Sequence, residues 1–215
     1  MVSNTQLPKL SGTRRVGLYG GTFDPPHIGL LVGASEAAAA CGLDEVVFMV
    51  AGHPWQKDDP ALTPAEHRYA MAVLATEARA DFSVSRLEID REGPSYTADT
   101  LEHLAAELAP TQLVFIAGAD ALAEIDTWER AADVKRLSSF AVLRRAGTST
   151  ERVREALRGA EVTDVDMPLV DVSSTDIRER VAAGRPISFL VPEAVDRYIV
   201  EHALYSPLSE RRFLS

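Results

Sequence analysis

The sequence predicts an α/β protein with a doubly wound, mostly parallel β-sheet and helices on both of its faces. Two observations support this prediction. Segments of strand-like composition alternate with segments of helical periodicity. The runs Val16–Tyr19 and Gln112–Ala117 are almost continuously apolar, as in strands that are buried on both faces. We expect one domain over residues 14–205, a loose leader over residues 1–13 and an irregular tail over residues 206–215.

The amino-acid composition is typical of a globular protein and carries no membrane signal. Hydrophobic residues make up 46% of the sequence and charged residues 25%. A chain of 215 residues with this hydrophobic fraction is long enough to bury one core. The longest apolar runs are too short to cross a bilayer, and the N-terminal stretch lacks the apolar centre of a signal peptide. Cys41 is the only cysteine, which excludes an internal disulfide and a thiolate metal cluster. These features predict a cytoplasmic protein without a membrane partner.

The charge balance narrows the class of ligand. The formal net charge is −10, whereas proteins that bind nucleic acids in general carry the opposite sign. We therefore expect no nucleic-acid partner. An anionic substrate would have to be held by a few local cations that overcome the global field. The sequence leaves the oligomeric state open, a homo-oligomer included.

The first candidate site is the stretch GGTFDPPHIGLL at residues 20–31. Gly20 and Gly21 follow the first predicted strand, and we expect them to turn the backbone tightly and to let a ligand come close. After His27, apolar residues recur at helical spacing as far as Gly42, a residue type that commonly follows a helix. A strand, a glycine turn and the amino end of a helix together suit a phosphate group. We expect His27, in the first helical turn, to reach the same anion.

The other elements follow from the same kinds of pattern. Apolar runs predict strands at residues 44–51, 82–90, 112–117 and 140–143, and one or two short strands within residues 162–172. Helical patterns predict helices over residues 63–78, 98–108, 151–159 and 173–184, and a last helix that Pro192 opens. The helix at residue 63 begins with a capping box, Thr63-Pro64-Ala65-Glu66, with proline in its first position.

Polar residues follow several of the predicted strands, where ligands of a parallel sheet collect. Lys57 is a candidate phosphate cation, although a lone loop lysine is usually only solvated. Thr97 is either a helix N-cap or a ligand contact. Asp120 is either an N-cap or an acceptor for both hydroxyl groups of a ribose. Trp128 taken alone is more typical of a core anchor.

A second candidate anion site lies at residues 172–178, VSSTDIR. Ser173 and Asp176 form a cap-like pair, so the segment is at the least a well-capped helix start. The hydroxyl groups of Ser173, Ser174 and Thr175 and the guanidinium of Arg178, one turn later, also surround the positive end of that helix. Such a group of donors suits a phosphate.

Both sites match motifs of a known superfamily. The first stretch resembles the GxFDPxHxGH signature of the nucleotidylyltransferase superfamily, and VSSTDIR resembles its ISSTxIR motif. Within the superfamily the chain is most similar to nicotinate-nucleotide adenylyltransferases, since the strings PWQK, GPSYTADTL and HALY and the tryptophan after GAD also match. The resemblance extends from about Val16 to Tyr205 and implies a Rossmann-like fold.

The resemblance implies transfer of the adenylyl group of ATP to nicotinate mononucleotide, with Mg²⁺ arriving on ATP and with no dedicated metal ligands. It implies that the catalytic residues are His27, Lys57 and Arg178. It places the nicotinate nucleotide at Thr97, Trp128, Lys57 and Arg145. It implies that ATP is bound by Gly20, Gly21, Thr22, Phe23, His27, Gly118, Asp120, Ser173, Ser174, Thr175 and Arg178.

The chain departs from the pattern at Leu30, where the superfamily has its second histidine. This departure is consistent with three hypotheses: the protein is a slow enzyme, another cation compensates for the missing histidine, or the protein binds nucleotides as a regulator without catalysis. Another acceptor of the same fold, such as nicotinamide mononucleotide, phosphopantetheine or an alcohol phosphate with CTP, is also open. An NAD-dependent oxidoreductase is disfavoured because GxGxxG is absent. An aminoacyl-tRNA synthetase, which HIGL suggests, is disfavoured by the short and acidic chain.

Overall fold

The computed structural model describes residues 13–54, 62–144 and 150–206. Within them, six strands form a single sheet: β1 Arg14–Gly21, β2 Glu45–Val50, β3 Phe82–Ser85, β4 Thr111–Gly118, β5 Ser139–Arg144 and β6 Val162–Asp166. Their order is β3-β2-β1-β4-β5-β6, and every pairing is parallel. The predicted α/β class is therefore confirmed, and the sheet is wholly parallel.

The helices connect these strands. They are α1 Ile28–Cys41, α2 Ala65–Thr76, α3 Leu87–Asp90, α4 Thr97–Glu107, α5 Ala119–Ala123, α6 Ala131–Leu137, α7 Glu151–Ala156, α8 Ser174–Ala182 and α9 Glu193–Glu201, with a 3₁₀ turn at Ile125–Thr127. Among the described residues, no helix is both long enough and apolar enough to cross a membrane.

The strand order is that of a Rossmann-type double winding. The chain moves outward from β1 to β3 on one side, returns to β4 beside β1, and then moves outward to β6. Leu18 of β1 lies between Val47 of β2 and Phe115 of β4 in this register. The order reverses between β1 and β4, and ligands of such sheets bind at the carboxyl end of this switch point.

Apolar side chains from both faces of the sheet build the core. On one face Leu18, Phe115 and Phe140 pack with the buried residues of α4, α5 and α6. On the other face Phe48 and Ile116 pack with the small residues of α1 and with α2. A third cluster joins α2, α8 and α9. Because both faces are covered, the four inner strands β1, β2, β4 and β5 are apolar through most of their length, as their sequences predicted, whereas the edge strands β3 and β6 contain polar residues.

Two predicted elements are wrong in detail. The strand expected over residues 82–90 ends at Ser85, whose hydroxyl group accepts a hydrogen bond from the N–H of Leu87 and opens the short helix α3. The predicted capping box does not form, since Pro64 is the cap residue and no side chain caps α2. The N–H of Thr63 instead donates to the carboxylate of Asp24, 39 residues away. A local hydrogen bond accompanies the first difference, and a contact with a distant residue accompanies the second.

Smaller differences lie at the other boundaries. Residues 162–172 contain one strand, β6. The helix expected over residues 173–184 ends at Ala182, and Gly184 follows in a left-handed conformation. The predicted leader, apart from Thr13, and the predicted tail, apart from Ser206, lie outside the described residues.

Candidate active site

A pocket of about 300 Å³ opens at the carboxyl end of the sheet, at the switch point between β1 and β4. Its walls come from the ends of these strands, from the loop before α4 and from the segment after the 3₁₀ turn. Of the predicted site residues, those that line it are Gly20, Gly21, Thr22, Thr97 and Trp128. The structure thus brings together residues up to 108 positions apart in sequence, as the double winding requires.

The two glycines do not make the turn that we expected from them. Gly20 and Gly21 are the last residues of β1 and pair with Met49 and Val50 of β2. A Cβ atom on Gly21 would lie 3.2 Å from the ring of Phe23. The missing side chains therefore leave room in the wall of the pocket, and the backbone there is an extended strand.

The turn is made by the residues that follow. Phe23 has a φ of 51°, in the left-handed region that few residues other than glycine adopt. Its side chain is buried, with its ring centroid 5.5 Å from that of Phe48. Packing of this ring in the core holds the unusual backbone conformation, so Phe23 offers the site its main chain and not its side chain.

His27 lies immediately before α1 and not in its first turn. It is the N-cap residue in an extended conformation, and its carbonyl oxygen accepts hydrogen bonds from Leu30 and Leu31. Its side chain is buried. Gly42 ends the helix in a left-handed conformation, as the sequence predicted. The imidazole of His27 thus lies at the amino end of α1, where the N–H of Ile28 donates to the carbonyl oxygen of Leu190 at 2.9 Å.

The amino end of α8 lies against the loop between β1 and α1. Ser173 caps α8 by accepting a hydrogen bond from the N–H of Asp176 at 3.1 Å, as predicted. Ser174 donates to the carbonyl oxygen of Pro25 at 2.8 Å. Arg178 donates to the carbonyl oxygen of Asp24 at 2.8 Å and to the hydroxyl group of Thr175 at 3.3 Å. The two predicted anion sites are therefore adjacent.

Trp128 and Thr97 face the pocket from opposite segments. The indole of Trp128 packs edge-on against Phe115, with ring centroids 5.7 Å apart, and it is partly exposed. Thr97 is the first residue of α4 and not its N-cap, since Tyr96 holds that position. Trp128 thus combines two roles. One part of its indole packs on the core residue Phe115, and another part borders the pocket.

Gly118 and Asp120 lie at the end of β4. Gly118 is the N-cap of α5, and Asp120 is the second residue of that helix with an exposed side chain. Of the two alternatives for Asp120, the N-cap role is therefore wrong, because α5 already begins at Ala119. Lys57 and Arg145 lie outside the described residues.

Arg68 is a site-forming residue that the sequence analysis left without a role. It is 1% exposed, and its guanidinium donates to four backbone carbonyls, those of Thr22, Ala51, Gly52 and Thr63, at 2.7–3.2 Å. These oxygens belong to the ends of β1 and β2 and to the segment before α2. Burial lowers the pKa of Arg68, which stays charged as arginines do.

A sequence signal for Arg68 was present. Arg68, Met71, Ala72 and Ala75 recur at helical spacing and are all buried, so the arginine stands on the apolar stripe of α2. A charged residue in such a stripe requires buried partners. Arg68 therefore supplies one of the local cations that the acidic chain needs near an anion site.

Glu88 and Ser95 form a second unforeseen group, in the wall of the pocket. Both side chains are buried. The Thr100 hydroxyl donates to Glu88 at 2.7 Å, and Ser95 also hydrogen-bonds the carboxylate. The Ser95 oxygen accepts from the N–H groups of Gly52 and His53 at 3.0 and 3.2 Å. Burial raises the pKa of Glu88, and these hydroxyl groups oppose that shift.

The hydrogen bonds of Glu88 and Ser95 connect the loop that precedes Thr97 to the segment that follows β2. A Cβ atom on Gly52 would lie 2.2 Å from the carbonyl oxygen of Glu88, so only glycine allows this approach. Little in the sequence indicated this contact, because Glu88 alternates with apolar neighbours as an exposed strand residue would.

Comparison with known proteins identifies the family. The cytidylyltransferase-like family model matches residues 18–180. Proteins named "Probable nicotinate-nucleotide adenylyltransferase" are 47% identical over 96% of this chain and 95% of the relative in Corynebacterium kroppenstedtii, and 47% identical over 89% and 94% in Leifsonia xyli.

A solved structure shows the same fold. That of Plasmodium falciparum nicotinic acid mononucleotide adenylyltransferase complexed with NaAD superposes with a TM-score of 0.76 over 89% of this chain and 97% of the other, at 17% identity. The family model and the sequence relatives lead to the same assignment, and the solved structure agrees with them in fold. The chain belongs to the cytidylyltransferase-like family and, within it, to the nicotinate-nucleotide adenylyltransferases.

Proposed function

We propose that the protein transfers the adenylyl group of ATP to nicotinate mononucleotide, releasing pyrophosphate and forming deamido-NAD. One observation carries this proposal: the first turns of α8 contact the loop that leads into α1 at Asp24 and Pro25, two and three residues beyond the pocket residue Thr22. Two positive helix ends suit a triphosphate, and the adjacent pocket with Trp128 suits an aromatic ring. The names of the relatives support the same activity.

In the proposed reaction, an oxygen of the nicotinate mononucleotide phosphate attacks the α-phosphorus of ATP. The bond from that phosphorus to the bridging oxygen breaks, and pyrophosphate leaves with the electron pair. The attacking phosphate is an anion near neutral pH, so no general base is required. The rate then depends on in-line placement of two anions and on stabilisation of charge at the reacting phosphate.

The phosphate side of the site follows from the two helix ends. His27 contacts the α-phosphate or the bridging oxygen, and Arg178 neutralises charge on the phosphates. Lys57, which lies outside the described residues, adds a second cation in this proposal. The remaining donors are the main chain of Gly20, Gly21, Thr22 and Phe23 and the hydroxyl group of Thr175. The hydroxyl groups of Ser173 and Ser174 join them by exchanging their bonds to Asp176 and Pro25 for bonds to phosphate.

The other parts of the two substrates occupy the switch point. Trp128 stacks on the nicotinate ring and Thr97 borders it, while Arg145, also outside the described residues, contacts the same nucleotide. Gly118 lies beside the ATP ribose, whose hydroxyl groups donate to Asp120. In this proposal residues 14–205 work as one domain.

Mg²⁺ belongs to the substrate in this proposal. Among the described residues, no group of three or more histidine, cysteine or carboxylate side chains is placed to hold a metal ion. We therefore propose that Mg²⁺ enters bound to the phosphate oxygens of ATP. The bound ion lowers the negative charge that Arg178 and the helix ends must otherwise neutralise.

One observation favours nicotinamide mononucleotide as a second candidate acceptor. Glu88 is one of the residues that line the pocket together with Trp128. An ionised carboxylate attracts the N–H groups of an amide and repels a ring carboxylate. The hydroxyl groups of Thr100 and Ser95 already form hydrogen bonds with the Glu88 carboxylate, which weakens its preference for an amide. Nicotinate mononucleotide therefore stays the first candidate.

The test uses the purified protein with ATP and Mg²⁺ and a parallel set of acceptors: nicotinate mononucleotide, nicotinamide mononucleotide and phosphopantetheine. We expect pyrophosphate release and a dinucleotide product of the mass of deamido-NAD, with the highest kcat/KM for nicotinate mononucleotide. A higher kcat/KM for another acceptor would identify that acceptor as the substrate in place of nicotinate mononucleotide. Binding of ATP without pyrophosphate release from any acceptor would support a nucleotide-binding regulator instead.

A further inference from the structure

The turn that follows α9 brings Tyr205 to the loop that precedes α1. Leu204 is 2% exposed, and its N–H donates to the carbonyl oxygen of Ile199 at 3.0 Å. Ala203 and Tyr205 have φ angles of 50° and 60°, in the left-handed region that is uncommon for residues with a side chain. Buried packing and hydrogen bonds therefore hold this turn in a conformation that the local sequence does not favour.

Asp24 is the residue that Tyr205 reaches. The hydroxyl group of Tyr205 donates to one carboxylate oxygen of Asp24 at 2.6 Å, and the N–H of Thr63 donates to the other at 3.2 Å. The Asp24 side chain is 2% exposed, and a buried carboxylate needs such donors. Burial and the neighbouring Asp24 raise the pKa of Tyr205, so its hydroxyl group stays protonated and remains a donor.

The main chain of Asp24 faces the phosphate side of the site. Its carbonyl oxygen accepts a hydrogen bond from Arg178, and the next carbonyl, that of Pro25, accepts one from Ser174. The Arg178 guanidinium has its other described hydrogen bond to Thr175, on its own helix. Asp24 therefore links the C-terminal turn through its side chain to the arginine through its backbone.

We propose that Tyr205 is a positioning residue for ATP: through the carboxylate of Asp24, it holds the carbonyl oxygen that orients Arg178 toward the phosphates. This inference rests on the proposed function only in that Arg178 contacts ATP. Trp128 and Thr97, which border the pyridine ring in the proposed function, lie on segments that do not contain Asp24 or Arg178, so loss of the Tyr205 hydroxyl group affects ATP more than the acceptor.

The test compares Tyr205→Phe with Tyr198→Phe. Tyr198 is the matched control, because it lies on the neighbouring helix α9 and its hydroxyl group bonds to His67 at 2.9 Å, away from Asp24. Three quantities are measured for each variant: the Kd of MgATP by calorimetry, the separate KM values for ATP and nicotinate mononucleotide, and the Tm.

We expect Tyr205→Phe to raise the Kd and KM for ATP by roughly threefold to thirtyfold, the range seen when networks of this kind are broken. In Tyr205→Phe, the KM for nicotinate mononucleotide should stay within about twofold of the wild-type value. In Tyr198→Phe, the Kd and both KM values should also stay within about twofold of wild type. Asp24→Asn, which keeps the shape but offers a weaker acceptor, should change ATP binding in the same direction.

A double-mutant cycle tests the route of the effect. If Tyr205 acts through Arg178, adding Tyr205→Phe to Arg178→Ala should change the Kd of MgATP by less than about twofold. Full additivity of the two substitutions would overturn the proposal, as would equal effects on both substrates or a fall in Tm without a change in ATP affinity.

The same experiment separates this inference from the proposed reaction. ATP binding that depends on Tyr205, in a protein that forms no dinucleotide, would uphold the positioning role and refute the reaction. Dinucleotide formation with ATP affinity unchanged in Tyr205→Phe would uphold the reaction and refute the positioning role. A wild-type protein that does not bind ATP would overturn both.

Discussion

Arg178 donates a hydrogen bond to the carbonyl oxygen of Asp24 at 2.8 Å, across 154 residues of sequence. The contact joins the helix α8 to the loop before α1, and it places a fixed positive charge between two helix amino ends. The acidic chain has a formal net charge of −10, so a cation at this point matters for holding a polyphosphate.

We predict that Arg178→Ala lowers kcat/KM by about 10²–10³, because a charged donor at the reacting phosphates is lost. Arg178→Lys should recover only part of the rate, since a single ammonium cannot bind both the Asp24 carbonyl and a phosphate in the same fork geometry. Steady-state pyrophosphate release measures the effect. Arg180→Ala, two residues further along α8, is the control and should stay within about threefold. Equal losses in the two alanine variants would contradict the assignment.

Arg68→Met should destabilise the protein by about 3–5 kcal/mol, because four backbone carbonyls at the strand ends lose their buried donor. Urea unfolding measures this change. The comparison is Arg152→Met, since Arg152 is exposed and its ion pair with Glu124 should contribute less than about 1 kcal/mol. A loss below about 1 kcal/mol for Arg68→Met would show that water replaces the guanidinium.

Trp128→Leu should raise the KM for nicotinate mononucleotide by about fivefold to a hundredfold, the usual value of one stacked aromatic base. The KM for ATP should change much less, because the ATP contacts lie at the helix ends. Trp128→Phe keeps a flat ring and the contact with Phe115, so it should retain most of the affinity. A larger effect on ATP than on the acceptor would reverse the placement of the two substrates.

Leu30→His should raise turnover, by up to about a hundredfold, if the second histidine of the motif stabilises the transition state as one added donor. Leu30 lies one turn from His27 and is partly buried, so an imidazole there shares the helix face of His27. Leu30→Met is the control and should leave kcat unchanged. Unchanged or lower turnover in Leu30→His would mean that another group already performs this role.

Glu88 should make stability depend on pH. Burial raises its pKa above the ordinary value, so the folded protein binds this proton more tightly than the unfolded chain does. The stabilising contribution is present below the ordinary glutamate pKa and is lost as the pH rises through the raised one. Relative to Glu88→Gln, the wild type should therefore lose free energy of unfolding as the pH rises from about 4.5 to 7. A pH-independent difference in urea unfolding would contradict this expectation.

Sequence alone was sufficient for the features that local patterns encode. Alternating strands and helices predicted the doubly wound sheet, and residue composition predicted that both faces of the strands are covered. Gly42 and Ser173 were correctly assigned as helix-ending and helix-capping residues, because a cap depends on a few neighbouring residues. The two motifs are also sufficient to indicate the family.

Only the tertiary structure decided which atoms meet. The extended conformation of Gly20 and Gly21, the left-handed Phe23 and the four carbonyls around Arg68 depend on packing between strands that are distant in sequence. The same holds for Glu88 with Ser95 and for Tyr205 with Asp24, which are 181 residues apart. A buried polar group must find its partner wherever the fold places one, and no local periodicity records that choice.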